Sequence, residues 1–135
     1  MEALTDLALE LWPDHGREDM AAELAPLLRA EDAAVFGWQA GGRWEAFAQC
    51  QLRRDYVEGC ETSPVGYLEG VYVREPLRGR GVASALLARC QAWAREKGCR
   101  EFASDCELSN EGSLRFHLAT GFQEAGRIIC FIKQL

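Results

Sequence analysis

The chain has no long apolar run and no basic stretch at its N-terminus. None of its hydrophobic segments approaches the roughly 20 residues that a membrane-spanning helix needs. The first residues, Met-Glu-Ala-Leu-Thr-Asp, lack the positive charge with which a secretory signal begins. We therefore expect a soluble, cytoplasmic protein.

The cysteines lack the spacing of a metal site. Six are present, at positions 50, 60, 90, 99, 106 and 130, with no Cys-x-x-Cys pair and no histidine at ligand spacing. In a cytoplasmic protein such cysteines are most simply small buried apolar groups. The sequence thus predicts neither a bound metal nor a disulfide.

An excess of positive charge is also missing. The chain has 21 acidic and 15 basic residues, a net charge of −6. This balance argues against a nucleic acid or an anionic membrane as partner. It is compatible with cationic substrates, although solubility alone is the simpler explanation. With 135 residues, 48% of them hydrophobic, the chain suits one globular domain spanning residues 1–135.

Periodicity in the N-terminal half predicts two helices and a hairpin. Apolar residues recur at helical spacing from Leu4 to Leu11 and again over residues 18–29, where Pro26 indicates a kink or an early end. Residues 33–39 and 43–52 have strand composition and are linked by a glycine pair. The next segment, 53–64, is a polar loop, and such loops often carry function.

The C-terminal half alternates strands and helices, which indicates a mixed α/β fold. Residues 65–73 read as a strand, and a helix follows from about Gly81 to Lys97. Residues 100–106 form a second strand, parallel to the first if the connection is the usual right-handed crossover. A short helix begins after Asn110 and ends before Gly121, and residues 122–135 are predicted to form one or two strands.

The turn between the central strand and helix, residues 74–83, predicts an anion site. Gly79 and Gly81 precede a helix N-terminus, where unpaired N–H groups and the helix dipole favour a phosphate. Arg78 and Arg80 add positive charge, so a diphosphate is the expected ligand. The turn is not a dinucleotide fingerprint, because Ser84 stands where the third glycine belongs, nor a P-loop, because Gly-Lys-Ser/Thr is absent.

Glu69 is a carboxylate in the middle of an apparently buried strand. On a period of two it shares a face with Val65, Tyr67, Val71 and Val73. One interpretation is a buried ion pair with an arginine. The other, which we favour, is a general base whose pKa is raised by desolvation, next to a bulge that Gly70 permits.

Five further residues have both structural and functional interpretations. Asp105 follows a strand end, where open α/β sheets bind ligands, but it could equally be a solvated carboxylate. Asn110 is most simply a helix cap whose amide could also serve a ligand. His117 is more often a satisfied core histidine than a catalyst. Trp12 and Tyr56 are by default partly buried aromatics.

Several stretches resemble the GCN5-related N-acetyltransferases. Residues 78–83, Arg-Gly-Arg-Gly-Val-Ala, match the Arg/Gln-x-x-Gly-x-Gly/Ala pyrophosphate loop of that superfamily, and residues 116–122 resemble its Phe-Tyr-x-x-x-Gly-Phe segment. Residues 11–14, 62–73 and 101–105 are similar to one branch, the aminoglycoside 6′-N-acetyltransferases. The resemblance covers nearly the whole chain.

The resemblance implies an enzyme of that fold that uses acetyl-CoA as co-substrate and needs no metal. The implied substrate residues are Trp12, Tyr56, Glu69 and Asp105, with the carboxylates facing ammonium groups. The backbone of the central strand would pair with the pantetheine arm, and the turn would wrap the pyrophosphate. The implied cofactor residues are Val71, Tyr72, Val73, Arg78, Gly79, Arg80, Gly81, Val82, Ala83, Ser84 and Asn110.

Three features depart from the superfamily pattern. The chain enters its first helix almost at once, so the sheet is expected to lack the usual first strand. His117 replaces the tyrosine that often protonates the leaving thiolate, a replacement that this branch also has, and the general acid stays unassigned. Gly126 stands where relatives can have an acidic residue.

These patterns lead to one hypothesis and two alternatives. The hypothesis is direct acetyl transfer from acetyl-CoA to the 6′-amino group of an aminoglycoside, which would confer antibiotic resistance, with Glu69 as base and a backbone N–H near Val71 stabilising the oxyanion. One alternative is transfer to another amine, such as a polyamine, a protein N-terminus or a lysine. The other is a non-catalytic module that binds CoA, a nucleotide or RNA at the arginine turn. We further expect a homodimer.

Overall fold

Two helices, a hairpin, a third strand, and two helices that flank a short fourth strand follow one another in this computed structural model, which describes residues 1–135. The elements are α1 (Glu2–Leu11), α2 (Arg17–Leu27), β1 (Ala33–Ala40), β2 (Arg43–Arg53), β3 (Val65–Val73), a 3-10 turn (Glu75–Leu77), α3 (Val82–Glu96), β4 (Phe102–Ser104) and α4 (Glu111–Ala119). The predicted mixed α/β fold is confirmed, and the first strand follows the two N-terminal helices.

Proline sets the end of both N-terminal helices. α1 stops at Leu11 because Trp12 precedes Pro13, and the residue before a proline is disfavoured in helical geometry. α2 ends one residue after Pro26. The inner faces of the two helices pack on one face of the sheet, where they bury Phe47 of β2. This cluster comprises Leu7, Ala8, Met20, Leu24 and Phe47.

The sheet has the order β1-β2-β3-β4. The first three strands are antiparallel, and β4 runs parallel to β3 after the crossover through α3. The predicted hairpin and the predicted parallel strand are thus confirmed, although β4 is shorter than the sequence indicated. α3 covers the sheet face opposite α1 and α2. The cluster beneath it comprises Ala46, Ala48, Cys50, Leu68, Val73, Val82, Leu86, Leu87 and Cys90.

Two expectations from the sequence are wrong. Residues 122–135 form no strand, because no edge of the sheet within this chain pairs with them. The cysteines are free, but only Cys50, Cys90 and Cys99 are buried; Cys106 and Cys130 are exposed.

No helix is both long and apolar enough to cross a bilayer. No three His, Cys, Asp or Glu side chains are grouped so that they could hold a metal ion.

Candidate active site

β3 and β4 are paired over only part of their length. β4 bonds to β3 from Gly66 to Leu68, whereas from Gly70 to Val73 the ladder of β3 runs to β2 alone. The edge of β3 that faces away from β2 therefore has no strand partner from Glu69 onward. Unpaired backbone N–H and C=O groups there can pair with an extended ligand, as the edge of a sheet pairs with an added strand.

A β-bulge at Glu69 turns this carboxylate away from the core. Gln49 pairs with Gly70 and Cys50 with Leu68, so Glu69 is an extra residue on β3. The bulge expected beside Gly70 is present. The shared face predicted for Glu69 with Val71 and Val73 is wrong, however, because the extra residue shifts the alternation. Val71 and Val73 pack in the cluster beneath α3, whereas Glu69 faces the side of Tyr67 and Arg53.

Trp12 lies directly against the backbone of the bulge. A β-carbon at Gly70 would be 2.7 Å from Cζ2 of Trp12, so only glycine fits there. The indole also contacts Phe47 edge to face, with ring centroids 6.1 Å apart. The structure therefore places Trp12 against Gly70, the residue that follows Glu69 in the bulge.

Arg53 forms an ion pair with Glu69. Its Nη2 donates to both carboxylate oxygens of Glu69, at 2.8 and 2.9 Å. The interpretation of Glu69 as half of an ion pair with an arginine thus describes the structure, although the pair is only partly buried. Arg53 is the last residue of β2 and pairs with Val65. No motif in the sequence marks Arg53 as a site residue, although the hairpin register places it on the same sheet face as Glu69.

Asp105 is joined to this ion pair through Tyr67. The guanidinium carbon of Arg53 lies 3.4 Å above the centre of the Tyr67 ring. The Tyr67 hydroxyl in turn donates a hydrogen bond to the carboxylate of Asp105. Burial first, and then the bond to Asp105 and its charge, raise the pKa of Tyr67 above its usual value. Asp105, Tyr67, Arg53 and Glu69 thus form one connected group, which we call the charged cluster.

The loop after β2, residues 54–64, is held beside the charged cluster. Val57 is buried against Val65 and Tyr67. Glu101 accepts hydrogen bonds from the backbone N–H groups of Glu61, at 2.9 Å, and Thr62, at 2.7 Å, and from the Thr62 hydroxyl. These bonds lower the pKa of the Glu101 carboxyl. The loop is therefore anchored at both ends.

Tyr56 and Glu58 project from this loop. Tyr56 is 79% exposed, and its hydroxyl donates to Glu58 at 3.1 Å. That bond and the charge of Glu58 raise the pKa of Tyr56. The Glu58 carboxylate lies beside Gly126, where a β-carbon would be 3.4 Å from Oε1. An acidic group is therefore present next to the position at which relatives can carry one.

The glycine turn, residues 78–81, has the geometry of an anion site. Gly79 and Gly81 have φ angles of 76° and 80°, which side-chain-bearing residues rarely adopt. A β-carbon on either would have no neighbour within 4 Å, so the space above the turn is open. α3 begins at Val82 with no side chain capping it. The N–H groups of its first turn are therefore free to bind an anion.

The two arginines of the turn differ in what they contact. Nε of Arg78 donates to the carbonyl of Val73 at 2.7 Å, and its guanidinium lies 5.6 Å from the centre of the Tyr72 ring. Arg78 thus fastens the turn to the end of β3. Arg80 is exposed and has no bonding partner within the chain, so its charge is available to a phosphate.

Asn110 and His117 both make the contacts of structural residues. Oδ1 of Asn110 accepts from the N–H of Ser113 at 3.0 Å and caps α4, and its NH₂ group makes no bond within the chain. His117 has the Ser113 carbonyl 2.6 Å from Nδ1 and the Ser104 hydroxyl 2.8 Å from Nε2. His117 therefore ties α4 to the end of β4.

A separate groove of about 400 Å³ lies between β1 and α3. Its lining includes Phe36, Trp38 and Arg89 and contains none of the candidate site residues. The guanidinium of Arg89 lies over the ring of Phe36, 5.1 Å from its centre. The groove has one charged side chain and no carboxylate, so it offers nothing to an ammonium group.

Comparison with known proteins identifies a family model and close relatives. Residues 1–122 match the model of the acetyltransferase (GNAT) family. Aminoglycoside N(6′)-acetyltransferase type 1 of Serratia marcescens is 41% identical over 136 residues, which cover 100% of this chain and 93% of the relative. The protein of the same name from Stenotrophomonas maltophilia is 45% identical over 130 residues, 96% of this chain and 84% of the relative.

A solved structure is also very similar. AAC(6′)-Iy, in complex with the bisubstrate analogue CoA-S-monomethyl-acetylneamine, superposes with a TM-score of 0.94 at 41% identity. The superposition covers 99% of this chain and 91% of that one. That ligand is one molecule that joins CoA to an acetylneamine.

Proposed function

This chain belongs to the acetyltransferase (GNAT) family, and from that premise we propose that it transfers the acetyl group of acetyl-CoA to the 6′-amino group of an aminoglycoside, which would confer resistance. The family expected from the motifs is thereby confirmed. The observation that carries the proposal is β3 itself, which has Glu69 at its bulge, an unpaired edge beyond the bulge and the glycine turn just past its end. The identity to relatives named for this activity supports it.

The free edge of β3 suits the extended part of acetyl-CoA. The backbone of Val71, Tyr72 and Val73 would pair with the pantetheine amides, and residues 79–84 would bind the pyrophosphate at the N-terminus of α3. Arg80 adds a free positive charge at that point. Asn110 offers its unused NH₂ group to the cofactor from the start of α4. This placement brings the thioester toward the bulge, where acetyl-CoA supplies an activated carbonyl.

The acidic side chains beside the bulge suit a polycationic amine. Glu69, Asp105 and Glu58 offer carboxylates to ammonium groups, and charge-assisted hydrogen bonds of this kind are the strong ones. Trp12 and Tyr56 offer flat aromatic surfaces to the sugar rings and to their ammonium groups. The net charge of −6 favours the approach of such a cation over long distances.

The chemistry needs positioning and two proton transfers. Glu69 accepts a proton from the substrate ammonium, directly or through a water, because only the free amine has an electron pair to donate. The nitrogen then attacks the thioester carbonyl, whose oxygen accepts a hydrogen bond from a backbone N–H near Val71. Collapse of the tetrahedral adduct breaks the C–S bond, and the proton that the attacking nitrogen loses passes to the departing sulfur, which yields the amide and the CoA thiol. Holding both reactants side by side supplies most of the remaining rate gain.

The test is thiol release from acetyl-CoA with a panel of amines. We expect kcat/KM to be highest for neamine, a two-ring aminoglycoside with a 6′-amine, and far lower for spermidine and for a lysine-containing peptide. A preference for spermidine or the peptide would favour the other-amine alternative. Acetyl-CoA binding without thiol release for any amine would favour a non-catalytic module.

We also propose a homodimer in which the apolar part of the C-terminal tail, residues 128–132, packs on a second copy. This segment is exposed: Ile129 and Phe131 are 81% and 89% exposed. β4 has only three residues, and its outer edge has no strand partner. Exposed apolar segments of this kind mark protein contacts, and a strand-like segment can pair with a free sheet edge.

Use of acetyl-CoA favours the cytoplasm as the site of action.

The dimer is tested by light scattering after gel filtration. We expect twice the chain mass for the wild-type protein and a single chain mass for Phe131→Asp, because a buried aspartate would break the contact. Lys133→Asp, a charge change at an already polar tail position, is the matched control. A monomeric wild-type protein at tens of micromolar would contradict the proposal.

A further inference from the structure

The carboxylate proposed as the general base already holds a cation. Nη2 of Arg53 is bonded to both oxygens of Glu69, at 2.8 and 2.9 Å. A substrate ammonium that gives its proton to Glu69 must approach the same two oxygens. Two cations at that distance repel each other strongly in a partly desolvated site. Arg53 and the substrate therefore compete for Glu69.

The position of Arg53 allows a substrate ammonium to displace its guanidinium from Glu69. Its side chain is 38% exposed, whereas that of Glu69 is 18% exposed, so the guanidinium lies on the solvent side of the pair. It belongs to the last residue of β2, next to the loop of residues 54–64, and not to the middle of the sheet. Its second contact, the face of the Tyr67 ring, is one that an arginine can leave without stranding a buried polar atom.

We propose that Arg53 sets an affinity threshold at the ammonium position, which an amine passes only if it makes several contacts, an inference that rests on the proposed function. Its guanidinium occupies the place beside the Glu69 carboxylate that the substrate ammonium would take. An amine with one ammonium group gains one contact at Glu69 and loses the contact between Glu69 and Arg53, so it binds poorly. A substrate with several ammonium groups also reaches Asp105 and Glu58, and those contacts offset the displacement of Arg53.

The neighbouring residue provides the matched control. Arg54 carries the same charge and pairs with Asp32, with both side chains more than half exposed. Arg53→Met and Arg54→Met therefore change the net charge equally, but only the first removes the cation from Glu69. Arg53→Lys keeps a cation at the position and is the conservative variant.

The experiment compares neamine with 6-amino-6-deoxyglucose, a single sugar that carries one equivalent amine. In Arg53→Met we expect KM for both amines to fall about fivefold, the scale of a partly exposed ion pair worth about 1 kcal/mol, because both displace the same guanidinium. Arg54→Met and Arg53→Lys should keep the KM values of the wild-type protein. An unchanged or higher KM for the single-amine sugar in Arg53→Met, or the same change in Arg54→Met, would overturn the inference.

A measurement on the unmutated protein guards against a folding defect in Arg53→Met. Neamine at saturation should shift the arginine side-chain NMR signal of Arg53 and speed its hydrogen exchange, while the signal of Arg54 stays in place. An Arg53 signal that neamine leaves unchanged would overturn the displacement. If the wild-type protein acetylates neamine but Arg53→Met leaves KM for the single-amine sugar unchanged, the inference alone falls. If the wild-type protein does not acetylate neamine at all, the proposed function falls with it.

Discussion

The glycine turn and the charged cluster flank the same free edge of β3, but they are built in different ways. The turn is made of backbone: two glycines with positive φ and an uncapped helix N-terminus. The cluster is made of side chains from β2, β3 and the end of β4, joined through Tyr67. One region therefore depends on chain conformation and the other on charge, which allows each to be perturbed without the other.

The largest effect is expected at the cluster, from Glu69→Gln. The amide keeps the size of the side chain and loses the base, so kcat at neutral pH should fall about 100-fold, the lower end of general-base contributions. The loss should shrink at high pH, where free amine is abundant. Steady-state rates from pH 6 to 10 provide the measurement. Acetyl-CoA affinity should not change, and a wild-type rate across this range would rule out Glu69 as the base.

At the glycine turn, Gly81→Val should weaken acetyl-CoA. A β-branched residue at a φ of 80° is strained, and the helix N-terminus must shift to relieve it. We expect the dissociation constant of acetyl-CoA to rise about tenfold by calorimetry, from strain of roughly 1–3 kcal/mol. Gly41→Val, in the hairpin turn at a φ of 59°, carries similar strain away from the site and is the control. Equal acetyl-CoA affinity in both folded variants would contradict the phosphate assignment.

A smaller effect is expected from Asp105→Asn. Loss of one carboxylate should raise KM for neamine several-fold, as for a partly exposed pair worth about 1 kcal/mol, and leave KM for acetyl-CoA in place. The dependence of neamine affinity on salt should become shallower than in the wild-type protein, because one screened contact is gone. Asp32→Asn removes an exposed charge outside the cluster and is the control. Equal salt slopes and equal neamine affinity would make Asp105 a solvated strand-end carboxylate.

The same substitution provides a spectroscopic readout. Burial and Asp105 together raise the pKa of Tyr67. Removal of the Asp105 charge leaves the burial contribution and should move the Tyr67 pKa down, toward the ordinary value for tyrosine. Ultraviolet titration of the phenolate, with Tyr67→Phe to assign the signal, measures the shift. An unchanged Tyr67 pKa would mean that the hydrogen bond to Asp105 does not form in solution.

The smallest effect concerns the loop that flanks the cluster. Glu101 has a folded-state pKa below its unfolded value, so its contribution to stability is present at neutral pH and is lost as the pH falls through the folded pKa. Glu101→Gln should therefore lower the urea midpoint at pH 7, and the gap to the wild-type protein should narrow as the pH falls through the folded pKa. Glu107→Gln, which removes a carboxylate without a side-chain hydrogen bond, is the control. A gap that stays the same size from neutral to acidic pH would show that the carboxylate charge is not the cause.

The two regions also differ in how far the sequence revealed them. The turn is local, and its glycines, arginines and following helix were all readable as an anion site. The bulge beside Gly70 was expected, but the pairing of Glu69 with Arg53 depends on the register between two strands, for which no local signal exists. Tyr67 was seen only as a strand residue, because its bond to Asp105 joins residues 38 apart.

The C-terminal tail also shows that strand pairing cannot be predicted from local sequence. Residues 128–132 have the composition of a strand, yet a strand exists only where it pairs with another strand, and no strand of this chain pairs with these residues. Composition shows that a segment can form a strand, but whether it does depends on which other strand lies beside it in the folded chain. The two N-terminal helices and the hairpin were readable because their determinants, the prolines and the glycine pair, lie within the elements themselves.

Acetyl-CoA held by its pyrophosphate at the glycine turn should deliver its acetyl group to the amine held by the charged cluster. The most direct test incubates the protein with [¹³C]acetyl-CoA and neamine and locates the label by two-dimensional NMR. We predict a single acetyl group, bonded to the 6′ nitrogen, formed in equal amount with free CoA thiol. Unlabelled neamine recovered beside intact acetyl-CoA, or an acetyl group on another nitrogen, would contradict the account.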